Sequence, residues 1–164
     1  MDIWDKLIEE AKKQYAPEEI SPFITAHHVA CALEAEDGTI YGGFCIEGAS
    51  GVIALCAERT AALNMYIQSG QKVVKRLTCY INGVPDGKGG WTPCGACREF
   101  FLQLSDKNKD MEILLDYKNR KTITLGEMMP DWWGWKRYKN DVRIKALTFR
   151  HWQIIQNNMV WIFL

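Results

Sequence analysis

No run of this 164-residue chain approaches the roughly 20 consecutive apolar residues that a membrane span requires. The N-terminal segment also lacks a signal-type apolar core, so the expected compartment is cytoplasmic. An excess of one charge is missing too. Twenty Lys and Arg balance twenty Asp and Glu, and no basic stripe follows any segment. That excludes the electrostatic footprint of a nucleic-acid binder, local pairs such as Lys136-Arg137 notwithstanding. Neither a membrane nor a nucleic acid is therefore an expected partner. Internal repeats and linkers are absent, and the length suits one domain with a sizeable core. A second Cys-x-x-Cys pair, which would mark a structural zinc knuckle, is absent as well.

What the chain does contain is Cys56-Ala57-Glu58 and, further on, Pro93-Cys94-Gly95-Ala96-Cys97. Together these supply three thiolates for a metal and a carboxylate that need not be a ligand. A structural zinc is normally closed by four protein ligands, whereas a catalytic one keeps a position for water and lowers its pKa. The pattern points to zinc-activated hydrolysis. A lone Cys-x-x-Cys also occurs in redox sites, but a thioredoxin-like site needs no third cysteine followed by Ala-Glu-Arg. Cys31, Cys45 and Cys79 sit in strand-like apolar runs, where reduced cysteine is usually core filler, and free thiols suit a reducing compartment.

Ile3, Trp4, Leu7, Ile8 and Ala11 recur at helical spacing after Asp2, a capping residue. Val29, Cys31 and Leu33 alternate, and the Glu36-Asp37-Gly38 turn leads into a strand over Thr39 to Ile46, giving a hairpin. Cys56 to Ser69 is rich in helix formers and closed by Gly70. Thr92 reads as an N-cap and Pro93 as the first helical residue of a helix reaching about Leu104. Strands are expected over Val73 to Ile81, over Met111 to Tyr117, and from Lys121. The pattern predicts an α/β layered domain whose sheet, of about five strands, is covered by helices on both faces, with two helix N-termini converging on one metal. Arg59 is placed to donate to the ligand sulfurs, and so to offset the negative charge of three thiolates. After Gly134, Arg143 to Phe149 alternates like a strand, and Trp152 to Leu164 is apolar without clear period. That end is expected to pack on the domain or on another subunit.

The motif resembles the zinc-dependent cytidine deaminases, whose signature is His or Cys, then x-Glu, then Pro-Cys-x-x-Cys. Cys-Ala-Glu-Arg-Thr-Ala is similar to the small homotetrameric, three-cysteine branch. The likeness runs from Ile20 to Gly134 through Asp37-Gly38-Thr39-Ile40-Tyr41-Gly42-Gly43, Ile46-Glu47-Gly48-Ala49-Ser50 and Met128-Met129-Pro130-Asp131-Trp132-Trp133-Gly134. It implies a three-layer fold with a mixed sheet, a zinc domain over residues 1–134 and an extension over 135–164. It further implies zinc on Cys56, Cys94 and Cys97, with Glu58 moving protons from the attacking water to the ring and then to the departing amine. A small aminated heterocycle is the implied substrate, a pyrimidine nucleoside first, and a homotetramer the implied assembly.

The same likeness assigns substrate contacts to the main chain of Ala57 and Thr92, to Glu47 at the sugar, and to Trp133 across a subunit boundary. Two positions depart from the family. Cys45 stands where an Asn reads the sugar, and His27 stands where a Phe packs on the substrate. For His27 and its neighbour His28, a partly exposed pair at a strand start is an equal reading. These departures keep open a deaminase for another aminated ring, such as a blasticidin-like antibiotic, and a non-catalytic zinc scaffold of the same fold.

Overall fold

The computed structural model describes residues 1–139. The chain divides into two units, Met1–Pro130 and Asp131–Leu164. In the first, Asp2 caps helix α1 (Ile3–Gln14) through a reciprocal box with Asp5. Strands β1 (Glu18–Ser21), β2 (Ile24–Ala35) and β3 (Ile40–Gly48) follow. Next come α2 (Ala57–Ser69), β4 (Val74–Tyr80), α3 (Gly95–Leu104), β5 (Glu112–Asp116), β6 (Lys121–Thr124) and a single turn, α4 (Leu125–Met128). The second unit contributes α5 (Trp135–Lys139). The strand expected over Arg143 to Phe149 and the apolar stretch from Trp152 lie outside the described residues. No helix among the described residues is long and apolar enough to cross a membrane.

Among the described residues the sheet has six strands, and the one beyond the five expected is β1. β1 spans four residues, three of them exposed, and so lacks the alternation that marks a strand in sequence. β3 pairs with β2 along nearly its whole length, while β1 meets Ile24 to Ala26 and β4 meets Ala30 to Ala35. β1 and β4 therefore share the second edge of β2. β4 and β5 run parallel, and every other pair is antiparallel. The sheet is mixed because α2 and α3 each serve as a crossover between strands of like direction.

Adjacent residues of a strand point to opposite faces, and two glycines of β3 show which helix covers which. A Cβ on Gly42 would meet the Gln14 side chain at the end of α1. A Cβ on Gly43 would run into the Ala61 amide nitrogen and come within 2.7 Å of the Ala57 carbonyl oxygen in α2. α1 thus covers one face and α2 the other. Hydrogen bonds fix the second contact: the Thr60 hydroxyl lies 2.7 Å from the Phe44 carbonyl oxygen, and Asn64 Nδ2 donates to the Gly42 carbonyl at 3.1 Å. Gly43→Ala should destabilise the fold by about 3 kcal/mol, because the clash is with backbone and cannot relax by a rotamer change. Denaturant melts would show it, and an unchanged midpoint would mean that α2 does not sit this close.

α3 is anchored at its far end. Asn108 is fully buried, donates to the Phe101 and Lys72 carbonyls at 2.9 and 3.0 Å, and accepts the Val74 N–H at 2.8 Å. Its amide is satisfied in the core and locks α3 to the start of β4.

Candidate metal centre and active site

Cys56 is the N-cap of α2, with φ −68° and ψ 151°. Gly70 closes that helix in the left-handed conformation at φ 71°, as a C-terminal glycine should. Cys94, with φ −64° and ψ 167°, is the N-cap of α3. The helix start predicted at Thr92-Pro93 is thereby corrected. The Thr92 hydroxyl bonds the Gly89 carbonyl at 3.4 Å within the preceding loop, and the chain turns helical two residues later. The later start makes Cys94 the cap and Cys97 the third helical residue, so both sulfurs meet at the helix N-terminus. Two positive helix ends converge on the cluster.

The three sulfurs lie within 4.8 Å of one another, with Cys56 to Cys94 at 3.7 Å and Cys94 to Cys97 at 3.6 Å. Tetrahedral zinc–sulfur bonds of about 2.3 Å place neighbouring sulfurs about 3.8 Å apart. The donor set fits zinc in both chemistry and spacing. Burial pushes the Cys56 and Cys97 thiols up. Burial acts on Cys94 in the same direction, but the Cys97 backbone N–H and the facing thiols of Cys97 and Cys56 together bring it below its ordinary value. Three thiolates in this space need a cation beside them.

Glu58 sits in the first turn of α2 and is 5% exposed. Burial raises its carboxyl pKa, and its own backbone N–H, the facing Cys97 thiol and Arg59 offset only part of that rise. Arg59 Nη2 donates to the Ala54 carbonyl at 3.3 Å and reaches Cys56 Sγ at 3.9 Å, while its Nε is buried without a partner. The guanidinium is therefore at the ligand sulfur, where the sequence places it. Arg98, which the sequence reading passed over, plays a matching part at the other helix: its Nε donates to the Pro93 carbonyl at 2.7 Å and fastens the residue before Cys94.

No family model matches the chain. The cytidine deaminase of Sporosarcina psychrophila is 33% identical over 130 residues, which cover 79% of this chain and 90% of that protein. The chain belongs to the cytidine deaminase family. The blasticidin-S deaminase of Bacillus cereus is 30% identical over 109 residues, covering 63% of this chain and 75% of that relative. The crystal structure of the cytidine deaminase from Mycobacterium tuberculosis matches with a TM-score of 0.60 at 26% identity, over 82% of this chain and 99% of that one. The six-stranded α/β fold is thus the family's fold, and zinc is the family's cofactor, with Cys56, Cys94 and Cys97 placed to hold it.

The remaining predicted residues separate into two groups. Ile46 and Leu55 form an antiparallel bridge with bonds of 2.9 and 2.8 Å, so Cys45 lies across from Cys56 and Glu47 across from Ala54. Ala57 opens α2, where the first N–H groups have no intrahelical acceptor. His27 is elsewhere: it stacks on Phe44 at 3.6 Å between ring centroids, and its Nδ1 is 2.8 Å from the Gln14 carbonyl oxygen. Phe44 shares its face with Gly42, so the His27 ring lies on the α1 side of the sheet. In the second unit, Trp133 carries the Arg137 guanidinium 4.6 Å above its ring.

Proposed function

We propose that this chain hydrolyses the exocyclic amine of cytidine or deoxycytidine, giving the uracil nucleoside and ammonia. The observation that carries the reading is a buried carboxylate, Glu58, facing Cys97 within a three-sulfur cluster at two helix N-termini. Bound zinc supplies Lewis acidity that lowers the pKa of the attacking water. Glu58 accepts a proton from that water and delivers it to the ring nitrogen beside the amine-bearing carbon. As the water oxygen bonds to that carbon, Glu58 takes its second proton and passes it to the amine; the carbon–nitrogen bond then breaks, ammonia leaves and the carbonyl forms. Its raised pKa suits both halves of that cycle, because the carboxyl must hold a proton and release it near neutral pH. Arg59 withdraws charge from Cys56. The main-chain groups at Ala57 and Thr92 orient the base, and Glu47 faces the sugar.

The assembly we propose is a homotetramer, with Trp133 reaching a neighbouring subunit's substrate. What supports association is the outer face of α2, where Leu63, Tyr66 and Ile67 are exposed, together with Val52 and Ile53 just before it. Ile67 is 79% and Val52 90% exposed, an apolar surface that water does not favour. Light scattering should give four times the 18.8 kDa chain mass. None of the six cysteines is in a disulfide, which supports a reducing cytoplasm as the compartment; the role we propose there is pyrimidine salvage.

Incubating zinc-loaded protein with cytidine should release ammonia and uridine in equal amounts. No release from cytidine would overturn the reading. Release only from an aminated antibiotic such as blasticidin S would move the substrate to the second reading, which the loss of the sugar-reading Asn at Cys45 favours.

A further inference from the structure

Between Ala26↔Ile46 and Ala30↔Phe44 the β2–β3 pairing shifts, so that His27, His28 and Val29 stand against the single residue Cys45. A bulge of this kind breaks the two-residue alternation and re-aims side chains, and bulges are frequent beside active sites. His27 absorbs the distortion at φ 63°, a left-handed conformation uncommon outside glycine. Its ring goes to the α1 side. Val29 donates its N–H to Cys45 Sγ at 3.2 Å, and that thiol is 4% exposed. The group standing in the sugar-reading Asn position is therefore already engaged and turned inward. His28 emerges on the opposite side from His27, and its Nε2 lies 3.1 Å from Glu47 Oε1. Both side chains remain open to a ligand, at 33% and 63% exposure. They line a shallow hollow of about 480 Å³ with Glu18, Thr25 and Ala26, within the size range of small-molecule sites. The Ile46–Leu55 bridge sets Glu47, on the rim of this hollow, opposite Ala54, two residues from Cys56.

We propose that His28 is a positioning residue for Glu47, holding one carboxylate oxygen so that the other is presented to the secondary hydroxyls of a nucleoside sugar. It thereby replaces, from the neighbouring strand, the contact that Cys45 does not make. The inference rests on the nucleoside reading of the site given above. An imidazole nitrogen held 3.1 Å from Oε1 restricts the rotamer freedom that a free surface glutamate would lose on binding, and preorganisation of this kind appears as affinity.

Calorimetry on the zinc-loaded full chain tests it with two product-like ligands: uridine, and dideoxyuridine, which lacks both secondary hydroxyls. Wild type should bind uridine the more tightly. His28→Leu should weaken uridine by up to about tenfold, the cost of ordering one rotamer-rich side chain on binding, and leave dideoxyuridine within about twofold. His28→Gln, whose amide can still donate to Glu47, should recover most of the uridine affinity. Should the leucine variant fail to fold, His28→Asn, too short to reach Glu47, takes its place with the same expectation. Equal weakening of both ligands, no weakening of uridine, or a wild type that does not favour uridine overturns the proposal. Failure to deaminate cytidine, read separately as ammonia, bears instead on the function.

Discussion

Glu58→Gln should leave about one zinc per chain and a folded protein, while turnover of cytidine falls about 10⁴-fold, the upper range for loss of a general acid–base. Glutamine keeps the size and hydrogen-bonding capacity of the side chain but cannot carry a proton. Glu58 is not among the clustered sulfur ligands, so the metal should remain. Zinc analysis alongside ammonia release would check both halves. A variant that retains a tenth of the activity would remove Glu58 from the proton path, and one that loses its zinc would make it a ligand.

The same substitution carries a stability signature whose sign follows from burial. The folded-state pKa of Glu58 is raised above the ordinary carboxylate value, so the folded protein binds a proton more tightly than the unfolded chain. The protonated carboxyl contributes stability that is fully present below the unfolded pKa and is lost as pH rises through the folded one. Metal-free Glu58→Gln has no such loss. At neutral pH it should melt above metal-free wild type, and the difference should vanish in acid. A functional residue that destabilises its own fold is a common trade.

The metal ligands were legible because cysteine spacing and helix capping act over a few residues: Cys56 before a run of helix formers, Cys94 and Cys97 three apart. The limits of α2 and β4 were legible for the same reason. Missed features depend on contacts between distant segments. β1 has no inward face to alternate, and the bulge at His27-His28-Val29 exists only in relation to Cys45 across the hairpin. Histidine is enriched at positive φ, but such residues are too few for the type alone to mark His27. That the two histidines part to different partners, His27 to Phe44 and His28 to Glu47, follows from the bulge and not from their place in the sequence. Thr92-Pro93 carries a sound local signal for a helix start, but the ladder begins at Gly95, with Arg98 bonding the Pro93 carbonyl from inside the helix.

Removing one sulfur should have the other large effect. Cys97 is fully buried, and burial drives its thiol far above the ordinary range, so at neutral pH it is protonated unless a cation sits beside it. Zinc must displace that proton, and the one on Cys56. Binding should therefore release at least about two protons and weaken steeply as pH falls. In Cys97→Ala the two remaining sulfurs cannot hold the ion, and zinc should fall below about a tenth of an equivalent, with turnover falling in parallel. Stability responds by mass action. Free zinc at about a thousand times its Kd stabilises by about 4 kcal/mol, so a chelator should lower the wild-type Tm by about 10 °C and leave Cys97→Ala unmoved. Cys31→Ala is the control: Cys31 is buried opposite Cys79 on β4, outside the three-sulfur cluster. That variant should lose some core packing but keep its zinc and its response to the chelator. Full zinc in Cys97→Ala, or zinc lost from Cys31→Ala with Cys97 intact, would assign the metal to a different set of cysteines.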